Sequence, residues 1–141
     1  MKTQIISHQF DINPVPAARP RVSRWSTYYP KKYTRFKKEM EALTGELDTT
    51  PCESLVVVSL RFKIKIPQSW SKKKRLEREN TYCNNNSDID NYIKAMLDSL
   101  NGVYFIDDRQ VVEVFASKKY SNEPRILFTM MEMDNDKRGD V

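Results

Sequence analysis

The sequence is poor in the residues from which zinc sites and disulfide frameworks are built. Its 141 residues include one histidine, His8, and two cysteines, Cys52 and Cys83. None of them has the short spacing of a zinc motif, so we expect both cysteines to be free thiols in a reducing compartment. Apolar runs are short as well: no stretch approaches the roughly 18 residues of a membrane span, and no signal segment follows Met1. These absences predict a soluble, cytoplasmic protein without a membrane partner.

Acidic residues are missing from one long basic stretch and rare in another. Residues 19–38 contain eight bases and no acid, and residues 61–78 contain eight bases against Glu77 alone. Residues 88–113 reverse this balance, with six acids and two bases. This asymmetry matters more than the formal net charge of +5, because clustered bases attract anions. The contrast suggests a divalent metal site on a nucleic-acid-binding protein.

The hydrophobic periodicity predicts a single α+β domain with a mixed or antiparallel sheet and two main helices. A chain of this length can bury one core of useful size. Alternating and β-branched runs predict strands over residues 5–12, 55–66, 110–120 and 125–133. Apolar spacings of three and four predict helices over residues 31–47 and 89–100, the second ended by Asn101-Gly102. Their core-facing residues are expected to be Tyr33, Phe36, Met40 and Leu43 in the first helix and Ile89, Ile93, Met96, Leu97 and Leu100 in the second. We expect the domain to span residues 1–133 and the charged tail, residues 134–141, to be frayed.

Two segments outside these elements are expected to approach DNA. Residues 13–30 should form an exposed cationic arm, because their closely spaced prolines exclude a helix. Within the arm, Trp25 either contacts sugars and unstacked bases or anchors the arm to the domain. Residues 67–87 should supply a short basic helix capped by Ser71 and a mobile loop. The bases expected to bind DNA are Arg19, Arg21, Arg24, Lys31, Lys32, Arg35, Lys63, Lys65, Lys72, Lys73, Lys74 and Arg75.

A cluster of acids carries the chemistry. Within a helix Asp88 and Asp90 would point about 200° apart, so they can share a metal only where extended chain becomes helix. Lys94 lies one turn after Asp90 and can reach the same site. Asp98 is expected to be a solvated partner of Lys94 and not a metal ligand. With a later pair, Asp107-Asp108, such a cluster needs a cation, and oxygen ligands favour Mg²⁺ or Mn²⁺. This combination suits phosphodiester hydrolysis.

The acidic stretch and its surroundings resemble the RusA family of Holliday junction resolvases, especially members carried by phages and prophages of bacteria. The resemblance extends to a Pro-rich arm and covers most of residues 5–133. It rests on Asp88-Ile89-Asp90-Asn91-Tyr92-Ile93-Lys94-Ala95-Met96-Leu97-Asp98-Ser99-Leu100-Asn101-Gly102, Tyr104, Asp107-Asp108-Arg109-Gln110-Val111, Arg19-Pro20-Arg21 and Tyr28-Tyr29-Pro30. The chain has Asn86-Ser87 where members of this type often have Lys-Pro, which leaves open how firmly the preceding loop is held.

The resemblance implies a small homodimeric enzyme that cuts four-way DNA junctions by paired, symmetrical nicks. It also implies that Mg²⁺ is held by three aspartates, Asp88, Asp90 and Asp108, with Asp107 the weaker candidate. Lys94 would be the essential lysine. Because a junction needs two matched cuts and the chain has one site, a two-fold dimer is also the simplest arrangement on independent grounds.

Two other functions remain open from the residues alone. The first is a metal-dependent nuclease that acts on flaps or other branched DNA. The second is a non-catalytic DNA-binding module in which the acids only cap a helix and shape a turn.

Overall fold

A mixed four-stranded sheet forms the centre of the computed structural model, which describes residues 4–133. The strands are β1 (Ile5–Phe10), β2 (Arg21–Val22), β3 (Thr27–Tyr28), β4 (Val56–Lys65), β5 (Val111–Ser121) and β6 (Arg125–Glu132). The sheet order is β1-β6-β4-β5; β4 and β5 are parallel, and the other neighbours are antiparallel. The separate β2–β3 pair lies within the arm and was not predicted from the sequence.

Helices fill the connections between these strands. They are α1 (Lys31–Gly45), α2 (Lys72–Arg78) and α3 (Ile89–Leu100), with a 3-10 turn over Asp108–Gln110. The parallel pairing of β4 and β5 requires a crossover, and α2 and α3 lie in that connection. The predicted α+β class, with a mixed sheet and two main helices, is therefore confirmed.

Strict alternation along β4 determines which face of the sheet is covered. Its inward side chains are buried, and Tyr92 of α3 packs on Phe62 with 5.4 Å between the ring centroids. Tyr33, Phe36 and Met40 of α1 enter the same core, as predicted. We call the opposite side the outer sheet face; on β4 it carries Val57, Ser59, Arg61, Lys63 and Lys65, all partly or fully exposed.

The buried side of α3 is rotated from the predicted stripe. The fully buried positions are Tyr92, Ala95, Met96 and Leu100, whereas the predicted Ile93 and Leu97 lie at the edge of the core. Tyr92 was missed because its side chain is amphipathic, and only the packing on the sheet shows that the ring is buried. The predicted helix stop is confirmed by Gly102, whose φ of 78° is a conformation that glycine adopts readily.

The prediction of an arm exposed from residue 13 is wrong for its first part. Pro14 is buried, and Val15, Ala17 and Ala18 pack against the core. The backbone N–H of Ala17 also donates a 2.8 Å hydrogen bond to the carbonyl of Asn91 in α3. The extended chain buries its proline ring and methyl groups because they face apolar surface, so the exposed arm begins at residue 19.

The prediction of a mobile loop before the acids also needs correction. Asn80, Thr81 and Cys83 form backbone hydrogen bonds of 2.8–2.9 Å with Lys118 and Tyr120 of β5. This segment therefore runs along the edge of the sheet, where the ladder supplies partners for its backbone groups.

Three further expectations concern the ends, the cysteines and the helices. The predicted frayed tail, residues 134–141, lies outside the described residues. Cys52 and Cys83 are both free thiols, and Cys83 is buried. None of the helices within residues 4–133 combines the length and apolar composition needed to cross a membrane.

Candidate active site

The entrance of α3 presents two exposed carboxylates. Asp88 occupies the N-cap position in an extended conformation, yet its side chain forms no capping hydrogen bond. Asp90 lies in the first helical turn. Among residues 4–133, neither carboxylate has an ion-pair partner within 4.0 Å. Capping therefore does not explain Asp88, and the partial positive charge of the helix N-terminus favours negative charge at this position.

The segment immediately before Asp88 is held by a lysine from the sheet. The Lys118 ammonium donates hydrogen bonds to Asn85 Oδ1 at 2.8 Å and to the Ser87 carbonyl at 2.6 Å. Asn85 in turn donates through Nδ2 to the Tyr92 hydroxyl at 2.8 Å. These bonds join β5, the loop and α3 at the point where the chain delivers Asp88, so the loop is held without the Lys-Pro pair.

Lys118 was not among the residues predicted to act at the site. Its place in the alternation of β5 could have identified it, because Ala116, Lys118 and Tyr120 share the side of the sheet that faces the helices. A lysine on an inward register requires a polar partner when it is buried.

Lys94 and Asp98 line one cavity of about 520 Å³ beside α3. Asp98 was predicted to be a solvated partner of Lys94; both side chains are exposed, and no ion pair within 4.0 Å joins them among the described residues. Asp98 instead faces α1, where burial first and then the negative charge of Asp98 raise the pKa of Tyr33. The helix geometry places Asp98 about 15 Å along the axis from Asp88, at 1.5 Å per residue.

The two acids after α3 have different environments. Asp107 Oδ1 accepts a 2.9 Å hydrogen bond from the Arg109 N–H, and Gln110 Oε1 accepts a 2.9 Å bond from the Asp107 N–H, which completes a capping box. The bond from the Arg109 backbone is the main cause of the lowered pKa of Asp107. Burial raises the pKa of Asp108, as do Asp107 and Asp98, and Lys94 opposes this shift. Asp107 thus shapes the turn and leaves Asp108 to face α3.

These positions arrange the acids in two groups along α3. Asp88 and Asp90 lie at its entrance, whereas Asp108 interacts electrostatically with Asp98 and Lys94 further along. Within residues 4–133 no three His, Cys, Asp or Glu side chains are arranged to hold a metal by themselves. The role of Asp108 as the third metal ligand therefore stays a prediction.

A basic groove leads to the entrance of α3. Its volume is about 600 Å³, and it runs between the arm, α1 and the loop before Asp88. Arg21, Lys32 and Lys65 line the groove from three different elements, and Asn85 and Ser87 line its end nearest Asp88. Bases that are far apart in the sequence thus meet in one channel whose lining includes Ser87, the residue before Asp88.

Comparison with known proteins assigns this arrangement to a family. The model of the endodeoxyribonuclease RusA family matches residues 11–131. The chain belongs to the RusA family. It is also 30% identical over 129 residues to an uncharacterised protein, YqaN, from Bacillus subtilis (strain 168); the match covers 85% of this chain and 91% of YqaN.

The RusA-family assignment makes this chain an endodeoxyribonuclease, a hydrolase that acts on DNA. Nucleases of the RusA family resolve Holliday junctions and generally depend on a divalent metal. The second predicted role, as a non-catalytic module, does not agree with this assignment.

The bases predicted to contact DNA in this RusA-family chain do not form one surface. In the arm and α1, Arg21 and Lys32 line the groove. Trp25 of the arm is 86% exposed, so it does not anchor the arm. Lys63 lies on the outer sheet face instead. Two bases of α2 make local contacts: Lys74 lies 4.2 Å from the Trp70 ring centroid, and Arg75 Nε donates to the Trp70 carbonyl at 3.2 Å. Of the bases predicted to contact DNA, those that are exposed are Arg19, Arg21, Arg24, Lys31, Lys32, Arg35, Lys65, Lys72, Lys73 and Lys74.

Proposed function

We propose that this chain is a Mg²⁺-dependent endonuclease that resolves four-way DNA junctions by paired, symmetrical nicks, working as a homodimer in the cytoplasm of a bacterial host. The observation that carries the proposal is the pair of unpartnered carboxylates, Asp88 and Asp90, where the basic groove meets α3. The RusA-family assignment supports the reaction class.

The donor set at the helix entrance fits Mg²⁺ or Mn²⁺. Mg²⁺ is usually held by one or two carboxylates and completes its coordination with water and substrate phosphate oxygens. Asp88 and Asp90 supply that number, and neither is engaged as a cap or within an ion pair among the described residues. We propose Asp108 as a third carboxylate, because the family motif carries an acid at this place.

The chain's own groups then have separate tasks. A divalent metal held here would supply the Lewis acidity that phosphodiester hydrolysis requires. Lys94 lies one helical turn from Asp90 and one from Asp98, between the two groups of acids. Its exposed ammonium can stabilise the negative charge that develops on the phosphate. The bonds from Lys118 keep the loop, and with it Asp88, in a fixed position during the reaction.

The bases of the groove orient the DNA backbone. Arg21, Lys32 and Lys65 can each contact phosphate oxygens, which position a nucleic acid without reading its sequence. Because the groove ends beside Ser87, a strand lying in it brings a phosphodiester to the carboxylates. A two-fold dimer would present two such grooves and make two matched cuts.

The test compares cleavage of four-way junction, flap and linear duplex DNA by the wild type and an Asp90→Asn variant, with and without Mg²⁺. We expect the wild type to nick the junction at symmetry-related positions only with the metal, and Asp90→Asn to bind the junction without nicking it. Glu41→Gln is the matched control, since it removes an exposed carboxylate from α1. Undiminished nicking by Asp90→Asn would overturn the metal assignment, and faster cleavage of flaps than junctions would favour the flap nuclease.

A further inference from the structure

A row of cations crosses the outer sheet face. Lys63 of β4 is directly paired with Lys119 of β5 on one side and with Arg125 of β6 on the other. Paired residues of neighbouring strands project from the same face, at a strand spacing of about 4.8 Å. Arg61 lies on this face two residues before Lys63. Four positive side chains are thus concentrated on the side of the sheet opposite α3 and its carboxylates.

Few acidic side chains among residues 4–133 offset this positive charge. The pKa of Lys63 is lowered by burial first and then by Lys119, Arg125 and Arg61. The Lys63 ammonium donates to a neutral acceptor, Asn80 Oδ1, at 3.1 Å. Like charges directly opposite each other on a sheet are destabilising, so this row costs the protein stability.

Two acids, Glu79 and Glu123, approach the row, and each leaves it largely uncovered. Glu79 partly offsets the shift of Lys63, but its Oε2 already accepts a 2.8 Å hydrogen bond from the Asn122 N–H. Glu123 lies 4.0 Å from Arg125 and is 89% exposed. Glu113 lies further along β5, paired with Val57. Among residues 4–133 the row therefore keeps positive charge that an anion from outside the chain could offset.

A shallow depression of about 240 Å³ adjoins the row. Small side chains, Ser59 and Ser117, line it together with two exposed aromatic residues, Tyr82 (75% exposed) and Phe115 (63%). The Lys119 ammonium lies 4.9 Å from the centroid of the Tyr82 ring. Exposed rings beside cations, on an open sheet, are typical of surfaces that bind sugars and unstacked bases next to a phosphate backbone.

We propose that the outer sheet face is a second DNA-binding surface, on which Lys63, Lys119 and Arg125 contact the phosphate backbone and Tyr82 and Phe115 contact sugars or unstacked bases. The charge of the face argues against a second copy of the chain as its occupant, because two such rows would repel each other across an interface. This inference rests on the proposed action on branched DNA.

The placement of the two surfaces determines which DNA can reach both. α3 lies on the covered side of the sheet and the row of cations lies on the other; the basic groove meets the outer sheet face only at Lys65, the last residue of β4. We expect a straight duplex that follows the groove to make fewer contacts with the outer sheet face than a branched DNA makes. A branched DNA has further arms that can pass round the sheet edge at β5, so the second surface should favour junctions over linear duplex.

The test is equilibrium binding of a triple variant, Lys63→Gln, Lys119→Gln and Arg125→Gln, to four-way junction and to duplex, measured by fluorescence anisotropy without divalent metal. We expect junction affinity to fall about 10- to 100-fold and the salt slope to fall by about 2 to 3, as expected when three phosphates are no longer neutralised by the protein. Duplex affinity should change less than junction affinity. The matched control, Lys63→Arg, Lys119→Arg and Arg125→Lys, keeps the charge and should bind the junction nearly as well as the wild type.

Unchanged junction affinity and salt slope in the glutamine variant would overturn the inference, and so would an equal loss for junction and duplex. A companion variant, Tyr82→Ala with Phe115→Ala, should weaken junction binding with little change in salt slope. Nicking of the junction in Mg²⁺ by the wild type is scored separately. Its failure would count against the proposed reaction, whereas these binding results decide the second surface.

Discussion

Lys118 of β5 is hydrogen-bonded to Asn85 of the loop, with 2.8 Å between Nζ and Oδ1. The same ammonium reaches the carbonyl of Ser87, the residue that precedes Asp88. A side chain from the sheet thus determines where the first proposed metal ligand enters α3. Groups that hold a ligand in place in this way contribute to metal affinity without touching the metal.

We expect Lys118→Met to reduce junction nicking about 10- to 100-fold, the range typical of changes to groups that orient metal ligands. The Mg²⁺ concentration for half-maximal rate should rise, while DNA affinity without metal stays close to that of the wild type. Tyr92→Phe removes only the bond from Asn85 and keeps the ring on Phe62, so its effect should be smaller. A wild-type Mg²⁺ requirement in Lys118→Met would show that the loop does not need this lysine.

Asp107 and Asp108 should respond differently to substitution. Asp107→Ala removes a capping box and should lower the midpoint of thermal unfolding, while the folded protein still nicks DNA. Asp108→Asn should leave the midpoint unchanged or raise it, because the raised pKa shows that its charge is unfavourable in the fold. Its nicking rate should nevertheless fall on the order of 100-fold. Circular dichroism melting and single-turnover cleavage measure the two effects, and full activity in Asp108→Asn would remove it from the site.

Removal of two bases from the groove, in a Lys32→Gln and Lys65→Gln variant, should weaken binding to every DNA tested by a similar factor. Lysine–phosphate interactions carry no sequence information, so the loss of affinity should not depend on base composition. The slope of log affinity against log salt should decrease by about 1 for each phosphate that the variant no longer neutralises. Titrations between about 50 and 200 mM salt, over junctions of different sequence, measure it. A loss of affinity confined to one sequence would mean that these lysines read bases.

The row of cations on the outer sheet face predicts how the stability of a Lys63 variant depends on pH. Burial and the neighbouring cations lower the pKa of Lys63 in the folded protein. A group of this kind contributes stability above its unfolded pKa, about 10.4, and that contribution is lost as the pH falls through the folded pKa. Lys63→Gln should therefore be more stable than the wild type at pH 7, by roughly 0.2–1 kcal/mol. The difference should shrink as the pH approaches about 10.4, and in high salt; a variant less stable than the wild type at pH 7 would contradict this.

Much of the architecture follows from local patterns. The alternation of Val56 to Lys65 predicted a strand, and the spacing of Tyr33, Phe36 and Met40 predicted α1 and its buried side, because these periods match the geometry of the elements. The acidic motif pointed to the family, and the match over residues 11–131 confirms it.

Tertiary contacts decided the features that no local pattern contains. Asn84-Asn85-Asn86 has no periodicity, so the sequence alone indicated a free loop, yet Lys118 and Tyr92 fix Asn85 from two different elements. In the same way Pro14 became buried because α1 and the sheet lie beside it.

The sequence by itself determined which residues carry charge and which side of each element is apolar, since both properties depend only on the order of the side chains. It could not determine which bases meet across the sheet. Lys63, Lys119 and Arg125 come from separate strands, and their register is set by the pairing of β4 with β5 and β6. Likewise, only the fold brought Asp108 close enough to α3 for its pKa to respond to Lys94 and Asp98.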